Sequence, residues 1–237
     1  MYIDSIYIDW DKVHVGSYLE EIPAICLLQK LIFRKPVTFF VGENGSGKST
    51  LLEAIAIAYG FNPEGGSLNY KFSTHDDYSE LCDAITVVRG IRDKNFGFFL
   101  RAESFYNVST KAIEYEKYGG KPMYGDRTLH EQSHGESFLN FINAFTKTGI
   151  FLMDEPEAAL SPKRQLSLFS RISEMAREGS QYIIVTHSPI LMAIPDADII
   201  QFDSYGIRYV DYEETESYRI TEMFINHREM MVEGLVE

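Results

Sequence analysis

The chain has 237 residues, 45% hydrophobic and 24% charged, and a formal net charge of −13. That is enough apolar material for one sizeable domain carrying a small insertion. The acidic balance argues against a non-specific nucleic-acid binder, whose affinity rests on basic residues neutralising phosphates. Lys30, Arg34 and Lys35 lie close together, and are read as solvated flanks of a strand.

Met1-Tyr2-Ile3-Asp4-Ser5 lacks a basic n-region, so no signal peptide is expected, and no apolar run reaches the length that spans a bilayer. Cys26 and Cys82 stand far apart in no metal-binding spacing, which fits a reducing cytoplasm. Met1 to Trp10, rich in Ile, Tyr and Trp, reads as a strand. Pro36 to Val41 is apolar on both faces, as a central strand of a parallel sheet would be, and Ser49 to Tyr59 reads as a helix.

Between them, Gly42-Glu43-Asn44-Gly45-Ser46-Gly47-Lys48-Ser49-Thr50 fits G-x-x-x-x-G-K-[ST]. Its three glycines permit positive φ and leave no side chain in the way, so successive amides can face one anion. The helix that follows aims its positive end at the same point. Lys48 then serves the β- and γ-phosphates, Ser49 a Mg²⁺ ion and Thr50 the α-phosphate. A strand, loop, lysine and helix in this order leave little room for an accidental glycine-rich turn.

Asn62-Pro63-Glu64-Gly65-Gly66-Ser67 is a loop, Leu81 to Val88 fits a helix or a strand, and Phe96 to Arg101 fits a strand. Tyr115 to Arg127, rich in Gly, Tyr and Lys, reads as an excursion, and an inserted lobe is expected within 61–132. Gln132-Ser133-His134-Gly135-Glu136-Ser137 precedes a helical face of Phe138, Phe141, Ile142 and Phe145, and is either an ordinary N-cap or a second anion site. Ile150-Phe151-Leu152-Met153 reads as a buried strand that delivers Asp154 and Glu155. Asp154 is a metal carboxylate in this reading and Glu155 the group that orients or deprotonates an attacking water, the alternative being a helix cap before Pro156. Ser161-Pro162 opens a helix that buries Leu168, Ile172 and Met175 and stops at Gly179. Tyr182 to Thr186 is a further strand, and His187 after it is placed to contact a γ-phosphate. Ile199–Phe202 and Ile207–Val210 read as a hairpin, and Thr221 to Val232 as a C-terminal helix.

In order and content these pieces resemble the ATP-binding-cassette (ABC) superfamily. They are most like the small soluble bacterial AAA-type ATPases akin to the recombination, repair and overcoming-lysogenization-defect ATPases. Walker A is Gly42–Thr50, a signature Ser133–Glu136, Walker B Ile150–Glu155 and the switch histidine His187, so the resemblance covers nearly the whole chain. The phrases from Phe98 to Phe105 and from Asp154 to Pro162 also match that group.

The resemblance implies a P-loop α/β fold of ABC-ATPase type: a mostly parallel central sheet with flanking helices, an N-terminal antiparallel β portion and the inserted lobe. It implies ATP and Mg²⁺, with Lys48, Glu155 and His187 catalytic and Ser49, Asp154 and Glu103 on the metal. It also implies an ATP-dependent homodimer in which Ser133 and Gly135 of one copy meet the other's γ-phosphate. This sequence departs from the cassette pattern at His134, where a glycine is usual, at Glu103 in the glutamine-loop position, and at Leu160-Ser161-Pro162, where Leu-Asp is common. Tyr7 and Trp10 are the candidates for stacking on adenine.

A cytoplasmic ATPase without membrane insertion is the favoured reading, with a further protein partner left open. The alternatives are the ATP-binding subunit of a membrane transporter, a DNA repair or defence ATPase, and a nucleotide-gated scaffold. The stretch Ser137–Lys147 lacks the Arg- and Gln-rich character of transporter subunits. The interval from Lys48 to Ser133 leaves no room for long coiled-coil arms.

Overall fold

A computed structural model describes residues 1–68, 78–92, 96–101, 142–143, 145–158 and 160–236. Two sheets organise them. The larger has seven strands in the order β10-β9-β3-β8-β7-β6-β4. Its strands are β3 (Val37–Gly42), β4 (Gly66–Ser67), β6 (Gly97–Leu100), β7 (Ile150–Asp154), β8 (Gln181–Val185), β9 (Ala197–Asp203) and β10 (Gly206–Val210). β9, β3, β8, β7 and β6 run parallel, and an antiparallel strand closes each edge. The smaller sheet is antiparallel, order β2-β1-β5, from β1 (Ile3–Ile8), β2 (Lys30–Ile32) and β5 (Ile85–Arg89).

The apolar runs become central strands because both faces of the large sheet are covered. Phe39, Phe151, Met153, Tyr182 and Ile184 point into one core with Leu168, Ile172 and Met175 of helix α4 (Pro162–Arg177). Phe40, Leu152, Ile183 and Val185 point into the other, beneath helix α2 (Lys48–Tyr59). The small sheet covers α2 from outside through Ile3, Ile6 and Ile85, so α2 lies between two sheets. That explains its sequence, which is apolar nearly all round, as a helix buried on two sides requires. Three short helices complete the described frame: α1 (Pro23–Cys26), α3 (Leu81–Ala84) and α5 (Pro189–Met192).

One side chain fastens the sheets together. Gln181, 1% exposed at the start of β8, accepts from the amides of Tyr2 and Ile3 at 2.8 Å each and donates to the Ile3 carbonyl at 2.9 Å.

Several expectations resolve in detail. Leu81–Val88 is both helix and strand, since α3 runs directly into β5. Trp10 falls in a 3₁₀ turn after β1. Ser161 takes the N-cap position of α4, with Pro162 following, but its hydroxyl accepts no capping bond. Lys30 and Arg34 are exposed, over the rings of Tyr7 and Tyr209, while half-buried Lys35 pairs with Asp196. The C-terminal helix begins earlier than its periodicity suggested and is two helices, α6 (Glu216–Asn226) and α7 (Arg228–Val236), parted at His227. Thr215 supplies the start signal, accepting from the Tyr218 amide. Within the interval 61–132, β4, β5 and β6 belong to the two sheets; the excursion at Tyr115–Arg127 lies outside the described residues, as do Phe138 and Phe141. No described helix is long and apolar enough to cross a membrane.

Gln181→Leu should keep the packing volume but leave two amides and a carbonyl of β1 without their partner. Buried unpaired groups cost about 1–3 kcal/mol each, so a loss of about 2–4 kcal/mol is expected in urea unfolding. A change below about 0.5 kcal/mol, the range of ordinary surface substitutions, would show that the two sheets do not depend on this contact.

Candidate functional site

The site forms at the carboxyl ends of the parallel strands, where loops leave β3, β7 and β8 side by side. The loop after β3 turns through three glycines of positive φ, Gly42 at 139°, Gly45 at 80° and Gly47 at 92°. Two of them admit no side chain. A Cβ on Gly42 would sit 2.3 Å from the Phe202 carbonyl oxygen, and one on Gly47 would meet Ile25 at 2.7 Å and Ile22 at 2.8 Å. Gly47 is also the N-cap of α2, so the loop's concavity lies at a helix N-terminus. Asn44 and Gly45 are exposed on the rim, and Ser46 and Thr50 are half-buried.

Lys48 is 4% exposed, yet its ammonium remains with the loop. It donates to the carbonyls of Gly42 at 2.8 Å and Glu43 at 2.6 Å, and stands 3.5 Å from Ser46 Oγ. Burial draws its pKa below the ordinary lysine value, opposed by the charges of Glu155, Asp154 and Glu43. A buried ammonium needs such partners, and here the loop supplies them from its own backbone.

Ser49 and Asp154 are brought together as the sequence suggested. The Ser49 hydroxyl donates to Asp154 Oδ1 at 2.9 Å, joining the first turn of α2 to the end of β7. Burial pushes the Asp154 carboxyl up to about 6; Glu155 adds to the rise, while Ser49, Arg101 and Lys48 oppose it. Arg101, at the end of β6, is held by Glu53 of α2 at 3.1 Å and by the Pro63 carbonyl at 2.8 Å.

Glu155 takes φ 45°, a left-handed conformation uncommon outside glycine, while its amide extends the ladder to the Val185 carbonyl at 3.0 Å. Its carboxylate stands 3.7 Å from His187 Nε2, beyond hydrogen-bond distance. His187 Nε2 has no hydrogen-bond partner among the described residues. The pair is therefore aligned but unengaged. Ser133, Gly135 and Glu103 lie outside the described residues, as does His134.

Three features at the site are not among the sequence candidates. Glu157 accepts from the His187 backbone amide at 2.6 Å. An open cavity of about 360 Å³ lies against the phosphate loop, lined by Gly42, Glu43, Asn44, His187, Gln201 and the start of α6 at Thr215. Of these, Glu157 carries a signal in the string Asp154-Glu155-Pro156-Glu157, and Gln201 is a polar residue inside an apolar strand. Thr215 carries only the signal of a helix cap. Tyr7 and Trp10 do not line this cavity; Tyr7 lies beneath Lys30, and the Trp10 indole donates to the Leu28 carbonyl at 3.0 Å.

A parallel sheet with a glycine loop, a buried lysine and two carboxylates at its strand ends defines a P-loop nucleotide-binding domain of ABC-ATPase type. An AAA-domain family model matches residues 17–141, more than half the chain, and the chain belongs to this family of ATPases. A second AAA-domain model, whose description also mentions the AbiEii toxin and type IV toxin–antitoxin systems, matches residues 138–193. The chain is 21% identical over 236 residues to Ribose import ATP-binding protein RbsA 2 of Burkholderia ambifaria, spanning 91% of this chain and 46% of that one. It is 28% identical over 172 residues to Hemin import ATP-binding protein HmuV of Rhodopseudomonas palustris, spanning 62% of this chain and 63% of that one. It thus spans less than half the length of the ribose-import relative. Among solved structures, the SMC head domain from Thermotoga maritima is similar with a TM-score of 0.48 at 15% identity, covering 89% of this chain and 98% of that one.

The raised Asp154 value has a stability consequence. The folded state holds this proton more tightly than the unfolded chain does, so the ionised carboxylate costs stability above pH 6. That cost shrinks as pH falls below 6 and is gone only below 3.8, the ordinary aspartate value. Asp154→Asn keeps an acceptor for Ser49 and removes the charge. In ligand-free protein at pH 7.5 it should raise Tm by roughly 2–4 °C, the shift that about 1 kcal/mol gives in a domain of this size. Differential scanning fluorimetry at pH 5 should show a smaller gap; an equal gap at both values would separate the effect from the titration of Asp154.

Proposed function

We propose that this chain binds ATP with Mg²⁺, hydrolyses its terminal phosphate, and closes as a homodimer around the nucleotide. The observation that carries this reading is the Ser49–Asp154 hydrogen bond. It joins a hydroxyl and a carboxylate, 105 residues apart in sequence, beside a glycine loop and a buried lysine. The site fits the group it would hold. The loop is a cradle that a Cβ would obstruct, and Lys48 already occupies oxygen acceptors that phosphate oxygens can replace.

In this reading Lys48 exchanges the carbonyls of Gly42 and Glu43 for the β- and γ-phosphates, and the loop amides hold the remaining oxygens. Ser49 and Asp154 would hold Mg²⁺, which would supply positive charge against the negative charge on the phosphate oxygens. Glu155 orients or deprotonates the attacking water. His187, which lines the cavity beside the loop with its Nε2 unpartnered among the described residues, contacts the γ-phosphate. Ser133 and Gly135 of a second copy complete each site, as the resemblance implies. A cytoplasmic setting goes with this reading.

A second reading, the ATP-binding subunit of a membrane transporter, is supported by the import functions in the names of the relatives. Co-purification with a polytopic membrane protein in stoichiometric amount would put it first.

Turnover should be measured against protein concentration. A homodimer predicts a rate that rises with the square of concentration at the dilute end. Glu155→Gln should lower kcat by about 10²–10⁴-fold, the usual contribution of a positioned base. Lys48→Ala should abolish ATP affinity in calorimetry. A Glu155→Gln enzyme as fast as the wild type would sink the hydrolytic assignment, and strictly linear rates from a monomer would sink the dimer.

A further inference from the structure

Glu157 lies two residues beyond the Walker B carboxylates, in the turn that leads from β7 toward α4. Its Oε1 accepts from the main-chain amide of His187 at 2.6 Å, across to the loop that follows β8. Parallel pairing ends just before this point. The last rungs are the Glu155 amide on the Val185 carbonyl and the Thr186 amide on the Phe40 carbonyl. Beyond them no sheet hydrogen bond holds the His187 peptide among the described residues, and the carboxylate of Glu157 takes that place. The other oxygen, Oε2, is buried and has no hydrogen-bond partner among the described residues. A carboxylate with one oxygen buried and unpaired is costly, so this contact is a poor choice for stability alone.

The rest of the segment is held in the same way, side chain to backbone. Ser188 donates to Gln165 Oε1 of α4 at 2.6 Å, and its own amide bonds Thr186 Oγ1 at 3.0 Å. Those bonds fix the residues on either side of His187. Among the described residues, only Glu157 fixes the peptide that carries the imidazole, and the imidazole stands 3.7 Å from Glu155 with its Nε2 unengaged.

We propose that Glu157 is a positioning residue, which sets the direction of the His187 ring toward Glu155 and the cavity by holding the His187 backbone amide. This rests on the ATPase reading for its effect on rate, but the contact itself does not. Loss of the carboxylate frees the peptide and lets the ring leave its alignment. ATP affinity, which depends on the glycine loop and Lys48, is untouched. The expected signature is a fall in kcat with KM and Kd for Mg·ATP nearly constant.

The test uses the full chain with Glu157→Ala, Glu157→Gln, His187→Ala and the double variant Glu157→Ala/His187→Ala. Glu157→Ala should lower kcat about tenfold with less than about twofold change in KM, the pattern of a lost transition-state interaction. Glu157→Gln keeps an oxygen acceptor for the amide and should remain within about threefold of wild type, so the acceptor matters more than the charge. In the His187→Ala background, Glu157→Ala should add little, because a residue that acts through another is non-additive with it. Fully additive losses, or an unaltered kcat in Glu157→Ala, overturn the proposal.

Hydrogen exchange supplies a readout free of turnover. The amide of His187 should exchange about tenfold faster or more in Glu157→Ala while the amides of β8 keep their protection. If that amide is unchanged, the proposal fails whatever the kinetics show. If wild-type protein binds Mg·ATP without turning it over, the hydrolytic reading fails, and the exchange result still decides whether Glu157 holds His187.

Discussion

The site depends on an imbalance of charge at the ends of three strands. Asp154 ends β7, Glu155 and Glu157 follow it in the turn, Glu43 lies in the phosphate loop, and the ammonium of Lys48 feels the charges of Glu155, Asp154 and Glu43. The sheet fixes this arrangement, because β7 lies between β6 and β8 and one strand away from β3, with its apolar residues packed on both faces. The carboxylates cannot spread apart without unpairing the ladder. Burial, with a smaller contribution from Glu155, raises the Asp154 carboxyl to about 6. Under the proposed function, a divalent cation between Ser49 and Asp154 opposes that rise, and a triphosphate takes the lysine from its loop carbonyls. In that reading Lys48 has the loop carbonyls and Asp154 has the Ser49 hydroxyl as exchangeable partners, and binding exchanges partners rather than building a site.

Such a design needs a rigid floor, and the fold provides it by burying α2 from two sides. A helix in contact with one sheet can tilt. α2 has the central sheet beneath and the antiparallel sheet above, and Gln181, at the start of the central strand β8, ties the two together. The N-terminus of α2, which presents the phosphate loop, is packed again through Gly47 against Ile22 and Ile25. An added methyl at Gly47 would have to displace that apolar contact, so the glycine serves packing as well as positive φ. Binding energy is then not spent on ordering the loop.

The parts legible in the sequence are those whose chemistry is local. The phosphate loop, the apolar strands β3, β7 and β8, the buried stripe of α4 and the acidic pair each occupy a short span whose pattern has one physical solution. Contacts that tie distant spans leave weaker marks. Gln181 reads as an ordinary polar residue at a strand start, and nothing local says that it will bond Tyr2 and Ile3. Glu157 belongs to an acidic string, but its partner is the backbone of a residue 30 positions away, and a backbone amide has no sequence signature. Thr215 reads as a helix cap at most; its place in the cavity wall follows from where β10 ends. Periodicity places the start of α6 too late because Glu216 to Arg219 show no apolar spacing, and a helix with no buried residue lacks the stripe on which periodicity depends.

The contrast between floor and rim also locates the part of the site that is able to move. The phosphate loop is anchored by packing, which yields only when the core yields. The segment Thr186–Pro189 is anchored instead by discrete polar bonds: Glu157 on the His187 amide, Gln165 on the Ser188 hydroxyl, and the Tyr212 hydroxyl on the Pro189 carbonyl at 2.9 Å. Each can break and re-form without opening a cavity, at a net cost of about 0.5–1.5 kcal/mol per bond, more for the charged one. Tyr212 packs against Tyr218 of α6 with the rings tilted and their centres 4.7 Å apart, so a shift of this segment is felt at the C-terminal helices. Packing thus fixes where the phosphates would sit, and a few hydrogen bonds decide where the histidine points.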